Sequence, residues 1–239
     1  MLEVASRFAD NVDENTKLGK MYSWSIPPIL TCPGRTHLCG GEDGVCYAKR
    51  LYTRPTVQTA WDRSYLISKR RDFRQIFTEA LALLPTGILR LHVSGDFYNE
   101  RYSLDMLQAL HPNAHIYPFG FTRSWRVPEI RAALESMGGW PKWLLASTDS
   151  ETGPAPAGMR EASMLDIWLP DITKGSVKAP RGLCDEQRDK EVTCATCGRC
   201  PLVRLENRRG KLIPVPLPKS AEKIGVGFAR HWKKCGLAA

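Results

Sequence analysis

Three cysteines lie in one short glycine-rich stretch near the amino-terminal end of the chain. Cys32, Cys39 and Cys46 are separated by six residues in each case. This spacing is too wide for a zinc knuckle, whose paired ligands lie about two to four residues apart, but it lets one loop wrap a metal centre. An iron–sulfur cluster normally takes four cysteines. The loop therefore predicts either a fourth ligand from elsewhere in the chain or an iron atom that is free to bind a small molecule.

A second group of cysteines lies in the carboxyl-terminal part of the chain. Cys184 is followed after nine residues by Cys194, and Cys197 and Cys200 then follow with two residues between neighbours, directly before Pro201. Ferredoxin-type cluster loops use these short spacings. Zinc is the alternative, although zinc ribbons usually divide their ligands between two separate pairs. The tract predicts a four-cysteine iron–sulfur site, with zinc as the second interpretation.

The eighth cysteine, Cys235, lies near His231 and apart from both groups, and we expect it to be a plain thiol. Eight cysteines would also fit a disulfide framework, which is typical of small secreted domains. The sequence has no export signal and no run of about 18 apolar residues. We therefore expect a cytoplasmic protein that is not inserted in a membrane and whose clustered cysteines bind metal.

The composition allows one sizeable core, because the chain has 239 residues of which 43% are hydrophobic. A formal net charge of +9 favours a polyanionic partner such as nucleic acid. The positive residues are spread over residues 50–74, 199–211 and 219–234 rather than gathered in one block. A solvated basic surface is therefore the alternative interpretation. No pattern indicates the oligomeric state.

The elements that must position the cysteines follow a repeating pattern. Residues 22–26 alternate in polarity and predict a short strand before the first cysteine loop. A helical period over residues 56–84, with a break near Arg71, predicts two helices. Further helices are predicted from Asn99 and over residues 128–136, and further strands at residues 88–93, 115–121, 143–147 and 165–169. Three of these strands begin 27 and 28 residues apart, which fits parallel βα units.

The predicted fold class is α/β, with a partial (βα) barrel of parallel strands over residues 1–175. A basic, cysteine-rich extension that binds a cluster is predicted over residues 176–239, because the composition changes after Gly175. In such folds the functional groups lie on the loops that follow the strands. The first cysteine loop should open at the same edge as these loops.

Three polar residues begin the loops at this edge. Asp96, Arg123 and Asp149 are the candidates for contacting a ligand there. Each also has a simpler interpretation, as a helix cap or turn residue for the aspartates and as a surface ion pair for the arginine. His92 lies within an apolar strand and is expected to be a core histidine rather than a ligand.

The motifs resemble known families. A strand, a three-cysteine loop ending in Cys46-Tyr47-Ala48, and a later strand running into Ser94-Gly95-Asp96-Phe97-Tyr98 resemble the start of a radical S-adenosylmethionine enzyme, and the four-cysteine tract is similar to the auxiliary-cluster domains of those enzymes. The common radical enzymes space their cysteines more closely. The chain resembles the gene product eighty-eight family of phage and plasmid proteins more than it resembles these enzymes. The matching stretches, LGK, TCPG, CYA, SGDFY, FTRSW and CxxCxxC, extend from Leu18 to Pro201.

Together these observations predict an iron–sulfur protein with two 4Fe-4S clusters. If it is a divergent radical enzyme, the open iron of the first cluster would bind the amino and carboxylate groups of S-adenosylmethionine, and the residues at the strand ends would position that cofactor. The substrate and the catalytic residues are not indicated. The alternative is a non-enzymatic nucleic-acid-binding or redox-sensing protein with iron–sulfur or zinc sites, and an electron carrier is a third hypothesis. Consumption of S-adenosylmethionine by the reduced protein would separate the first two.

Overall fold

The computed structural model describes residues 14–15, 19–42, 44–168, 178, 183–184, 187, 191–208, 211–219 and 226–230. In chain order the strands are β1 (Glu14–Asn15), β2 (Gly19–Lys20), β3 (Tyr22–Trp24), β4 (Gly87–Leu91), β5 (Ile116–Thr122), β6 (Leu144–Thr148), β7 (Arg160–Trp168), β8 (Val203–Arg208), β9 (Lys211–Pro216) and β10 (Val226–Arg230). The helices are α1 (His37–Gly40), α2 (Tyr47–Tyr52), α3 (Pro55–Ser68), α4 (Phe73–Leu83), α5 (Glu100–Leu110), α6 (Pro128–Glu135) and α7 (Cys194–Cys197), with a 3-10 turn at Ser124–Arg126. None of these helices is long and apolar enough to cross a membrane.

The centre of the molecule is a six-stranded sheet in the order β10-β7-β6-β5-β4-β3. Every neighbouring pair in it is parallel. Helices α4, α5 and α6 lie in the connections between consecutive strands, as parallel pairing requires. The predicted α/β class and its parallel βα units are therefore confirmed.

One face of the sheet packs against the helices. Leu89 and Leu91 of β4 belong to the same buried cluster as Phe77 of α4, Met106 of α5 and Ile130 of α6. The sequence explains this, because alternate residues of a strand point to the same face and the apolar residues of these helices recur every three or four positions. The main core therefore lies between the sheet and α4–α6.

The opposite face of the sheet is covered by the carboxyl-terminal tract. Ile88 of β4 and Phe119 of β5 form a second buried cluster, and Cys194 and Cys200 pack against it. Cys184 lies in a third cluster with residues of β6, β7 and β10. The division predicted at residue 175 lies outside the described ranges, and β10 belongs to the main sheet.

Local signals explain where the helices begin. The side chain of Asn99 accepts a hydrogen bond from the Tyr102 N–H at 2.8 Å, as predicted for the cap of α5. Asp72 precedes α4 and, with Gln75 three residues later, predicts a side-chain cap there, but its carboxylate pairs with Arg70 at 2.8 Å and caps no backbone group. The predicted break near Arg71 is confirmed, whereas the side-chain cap is not.

Three expectations about local structure were wrong. The glycines of the first cysteine loop predict irregular structure, but the loop contains a short helix, α1. Strand β7 begins at Arg160, five residues before the predicted start, because it extends along β6 through polar residues. The composition of segment 213–218 predicts extended, polyproline-like chain across the body of the protein, but most of this segment forms β9 and pairs antiparallel with β8. Residues 1–13, His231 and Cys235 lie outside the described ranges.

His92 is buried as predicted, in a backbone conformation with φ of +54° directly after β4. This conformation turns its ring towards the helix layer, where Nε2 lies 2.8 Å from the Tyr102 hydroxyl. The same hydroxyl accepts a hydrogen bond from Trp24 Nε1 at 2.9 Å. Burial lowers the pKa of His92 to about 3, and the charge of Arg90 acts in the same direction.

Candidate functional site

The first cysteine loop is fastened to the edge of the sheet through Thr36. Its hydroxyl accepts a hydrogen bond from the Cys39 N–H at 3.1 Å and so caps α1. The same hydroxyl donates to Asp149 Oδ2 at 2.7 Å, in the loop after β6. One side chain thus shapes the turn around Cys39 and attaches it to the sheet.

Asp149 connects the cysteine loop with the loop after β5. Its side chain is completely buried, and Oδ2 also accepts a hydrogen bond from Arg123 Nη2 at 2.9 Å. Oδ1 accepts hydrogen bonds from the backbone N–H groups of Glu151 and Thr152. Both carboxylate oxygens of Asp149 therefore accept hydrogen bonds from other residues of the chain, and these bonds brace the two loops against each other.

Glu151 is a further brace that sequence reasoning did not identify. Its two carboxylate oxygens accept hydrogen bonds from the backbone N–H groups of His37 and Leu38, each at 2.8 Å. These N–H groups lie in the first turn of α1, where they have no partner within the helix. The sequence carries no signal for this contact, because the donors are backbone groups more than a hundred residues away along the chain.

Asp96 braces the neighbouring loop after β4. Its buried carboxylate accepts hydrogen bonds from the Phe97 N–H at 2.8 Å, the Arg123 N–H at 2.8 Å and the Ser124 N–H at 3.2 Å. Burial raises the pKa of Asp96, and these hydrogen bonds act in the opposite direction. The structure thus brings Asp96, Arg123 and Asp149 together, and each is engaged in holding the loops.

A close backbone contact explains two of the sequence motifs. A Cβ atom on Gly34, in the TCPG stretch, would lie 2.1 Å from the carbonyl oxygen of Arg123, in the FTRSW stretch. Arg126 Nη1 also donates to the Gly34 carbonyl at 3.0 Å. Only glycine allows the two backbones to approach this closely.

The three thiols of the loop lie near one another. A hydrogen bond joins Cys39 to Cys46, and it lowers the pKa of Cys46 while raising that of Cys39. Burial raises the pKa of Cys32 to about 12, and the negative charge of Asp96 adds to this effect. Arg123 acts in the opposite direction on Cys39. The loop therefore gathers three sulfur atoms whose charges influence one another.

The second tract forms its own turn. Thr193 and Thr196 make a reciprocal capping box at the start of α7, and Gly198, with φ of +69°, ends the helix. Arg160 of β7 donates to the carbonyl oxygens of Cys200 at 2.9 Å and Arg199 at 2.8 Å. The tract is thereby fixed against the sheet through its backbone.

The charges of the other three cysteines of the second tract act on Cys200. Burial raises the pKa of Cys200, and the charges of Cys194, Cys184 and Cys197 raise it further. Arg90 acts in the opposite direction. All four cysteines that the sequence assigns to this site are thus close enough for their charges to interact.

Within the ranges that the structure describes, no group of three or more histidine, cysteine, aspartate or glutamate side chains has an arrangement that could hold a metal ion. Binding of metal by either set of cysteines stays a prediction. The chemistry of the donors fits an iron–sulfur cluster, since cysteine sulfur is the usual ligand of its iron atoms.

Residues 4–210 match the family described as Gene product 88. This chain belongs to the Gene product 88 family. The match confirms the predicted family and covers both sets of cysteines, but it does not extend to the radical S-adenosylmethionine enzymes. No curated protein and no solved structure matches the chain.

This member of the Gene product 88 family also has polar atoms near the strand ends that no described partner satisfies. The hydroxyls of Ser94 and Ser124, Arg123 Nε and Trp125 Nε1 are buried without a hydrogen-bond partner among the described residues. Ser94 and Asp96 share one strand-end loop, and the other three residues are consecutive in the next. A molecule bound at this edge could accept hydrogen bonds from these donors, which lie beside the first cysteine loop.

Proposed function

We propose that this protein is an iron–sulfur protein that holds two four-iron clusters. Cys32, Cys39 and Cys46 would bind the first cluster, and the second would be bound by Cys184, Cys194, Cys197 and Cys200. The observation that carries the proposal is the gathering of seven thiols into two sets, one at the carboxyl edge of a parallel sheet and the other on its second face. A cytoplasmic location belongs to the proposal, because thiols stay reduced there.

The proposal includes a partial (βα) barrel. The strands of the main sheet follow one another in chain order, and α4, α5 and α6 all pack on one face. This is the arrangement of strands and helices in (βα) barrels, whose second face is turned inward and whose active sites lie at the carboxyl ends of the strands. The cysteine-rich carboxyl-terminal segment would then be a cluster-binding extension on the inner face.

The first cluster would have one iron without a protein thiolate. We propose that this iron binds a small molecule with adjacent amino and carboxylate groups, with S-adenosylmethionine as the leading candidate. The chemistry that the reduced cluster supplies in such proteins is one electron for cleavage of that cofactor to a carbon radical. The chain's own part would be orientation, through the unsatisfied donors of Ser94, Ser124 and Trp125, and fixing of the loop by Asp96, Arg123 and Asp149.

Spectroscopy on protein purified without oxygen tests this proposal. Adding S-adenosylmethionine should perturb the paramagnetic resonance spectrum of the reduced first cluster. The perturbation should persist when Cys194, Cys197 and Cys200 are replaced together by serine, and reduction should form 5′-deoxyadenosine. If the spectrum of iron-loaded protein does not change, the first cluster has no iron that is free to bind a small molecule. The redox-sensing role would then be preferred to the enzymatic one.

A second candidate function is nucleic-acid binding, and one corner of the surface favours it. Arg101 of α5 donates to the carbonyl oxygens of Arg70 at 3.0 Å and Ser68 at 3.1 Å, which brings α5 beside the α3–α4 junction. Exposed cations lie there on the connection between α3 and α4 and on helices α4 and α5: Lys69, Arg70, Arg71, Arg74 and Arg101. Asp72 pairs with Arg70, so the corner keeps a positive excess.

Binding to nucleic acid at this corner should depend steeply on salt, since each phosphate contact releases counterions. Replacing Lys69 and Arg71 together by alanine should weaken binding of DNA or RNA about equally for all sequences and flatten the salt dependence. Arg131→Ala, an exposed arginine of α6, is the matched control and should leave binding unchanged. Equal binding by all three proteins would remove this candidate site.

A further inference from the structure

Arg90 is a cation in an unusual position. It follows Leu89 in β4 and points away from the helix layer, towards the face that carries the second cysteine tract. Its guanidinium carbon lies 5.1 Å from the ring centre of Phe119 and 4.4 Å from that of Phe121. Its Nε is buried and has no hydrogen-bond partner in the part of the chain that the structure describes.

No carboxylate balances this charge within the same described ranges. A guanidinium stays protonated at any physiological pH, so the half-buried Arg90 keeps its charge. Aromatic rings attract a cation only weakly compared with an anion. Arg90 is therefore placed to pair with an anion on this face, because it lies against two rings and its buried Nε has no partner among the described residues.

The groups next to Arg90 identify that anion. Cys194 and Cys200 pack against the cluster that contains Phe119, and Cys200 and Phe121 both pack against the third cluster. Thiolate sulfurs that bind metal are negatively charged, so the second cysteine set supplies an anion where Arg90 lies.

We propose that Arg90 is the half-buried counter-cation of the second cysteine site, a positioning residue that stabilises the negative charge of the centre held there. The inference rests on the proposed function, because it requires a cluster on these cysteines. Arg90 and Arg160 then have different tasks. Arg160 fixes the backbone by binding two carbonyl oxygens, whereas Arg90 supplies charge to the sulfur atoms.

Redox titration of the loaded protein tests the proposal. The paramagnetic resonance signal of the second cluster is the one that disappears when Cys194, Cys197 and Cys200 are replaced by serine. In Arg90→Gln this cluster should be harder to reduce, because loss of a nearby positive charge disfavours the more negative reduced form. We expect the reduced-to-oxidised ratio at a fixed potential to fall at least tenfold, which is about 59 mV for a one-electron couple.

Two further variants separate charge from packing. Arg90→Lys keeps the positive charge. The logarithm of its reduced-to-oxidised ratio should change by less than half of the change expected in Arg90→Gln. Arg131→Gln is the matched control, because Arg131 also lies over an aromatic ring, at 5.8 Å from Trp140, but belongs to α6 on the helix side. It should leave the potential unchanged.

The outcomes distinguish this inference from the function on which it rests. Wild-type protein without iron would contradict the proposed function. Wild-type protein with two clusters, together with an unchanged potential and iron content in Arg90→Gln, would overturn the inference alone. If Arg90→Gln loses the iron of the second cluster, retention of that iron in Arg90→Lys supports the need for charge. Equal loss in Arg90→Lys shows that packing is required instead and overturns the proposal.

Discussion

The first cysteine loop is held by side chains from distant parts of the chain, whereas the second tract forms most of its own turn. Around Cys39, the contacts come from the loop after β6, through Asp149 and Glu151. Around Cys194, the capping box is made by Thr193 and Thr196, within four residues. The conformation of the first site therefore depends on residues that are distant in the sequence, whereas the turn at the second site depends mainly on neighbouring residues.

The two sites also differ in electrostatics. Arg35, Arg123 and Lys49 each act on a thiol of the first loop. Cys200 of the second tract has one cation among its strongest influences, Arg90, and otherwise lies against apolar residues of the sheet. Changes in the strand-end loops should therefore disturb the first site selectively, and a change at Arg90 should disturb the second.

The largest expected effect is that of Asp149→Ala. This change leaves Arg123 without its anion and Thr36 without its acceptor, and removal of one partner from a buried ion pair typically costs about 3–5 kcal/mol of unfolding free energy. Denaturant unfolding would measure the loss, and the first cluster should lose its iron before the second does.

Glu135→Ala is the control for this change, because Glu135 pairs with Arg131 at 3.2 Å on the exposed surface of α6. It should cost less than about 0.5 kcal/mol. Equal costs for Asp149→Ala and Glu135→Ala would show that the loop does not depend on the buried pair.

A second prediction concerns the scaffold that both sites share. The pKa of His92 is about 3 in the folded protein, well below the value near 6.5 of an unfolded chain, so the unfolded state takes up a proton as the pH falls. Folding stability should therefore decrease by about 2 kcal/mol between pH 8 and pH 5 through this residue.

His92→Asn should remove that contribution, because asparagine tolerates the left-handed backbone at this position but does not titrate. The difference between the two pH profiles isolates the residue from groups near the cysteines. Parallel profiles would mean that His92 is protonated equally in both states.

The smallest effects compare two matched threonines. Thr36→Ala removes a helix cap and a donor to buried Asp149, and should cost about 2 kcal/mol. Thr193→Ala removes only the cap of α7 and should cost about 0.5–1 kcal/mol. Iron analysis should show loss from the first site in one variant and from the second in the other. Loss from both sites in either variant would contradict the independence of the two regions.

Much of the scaffold could be predicted from the sequence, because periodicity and caps are local. The repeated strand–helix spacing identified the parallel sheet, and Asn99 marked the start of α5. The small helix α1 was missed because its cap, Thr36, lies among glycines that suggest an irregular loop. Strand β9 was missed because its prolines suggest polyproline-like chain, whereas it is a hairpin strand outside the main sheet.

The site could be predicted only in part. The spacing of the cysteines placed them in two sets, and the strand ends placed Asp96, Arg123 and Asp149 at one edge. Their bracing contacts could not be predicted, since these depend on backbone positions that the chain brings together only when folded. Arg90 lies in an apolar strand, where an arginine suggests a solvated face, and its role depends on the tract that covers that face.

The most direct test of the central claim is the iron and acid-labile sulfide content of protein purified without oxygen. The account predicts brown protein with about eight irons and an equal amount of sulfide. Replacing Cys194, Cys197 and Cys200 together by serine should leave about four irons, and so should the corresponding triple change in the first loop. Colourless protein that contains stoichiometric zinc and no sulfide would contradict the account.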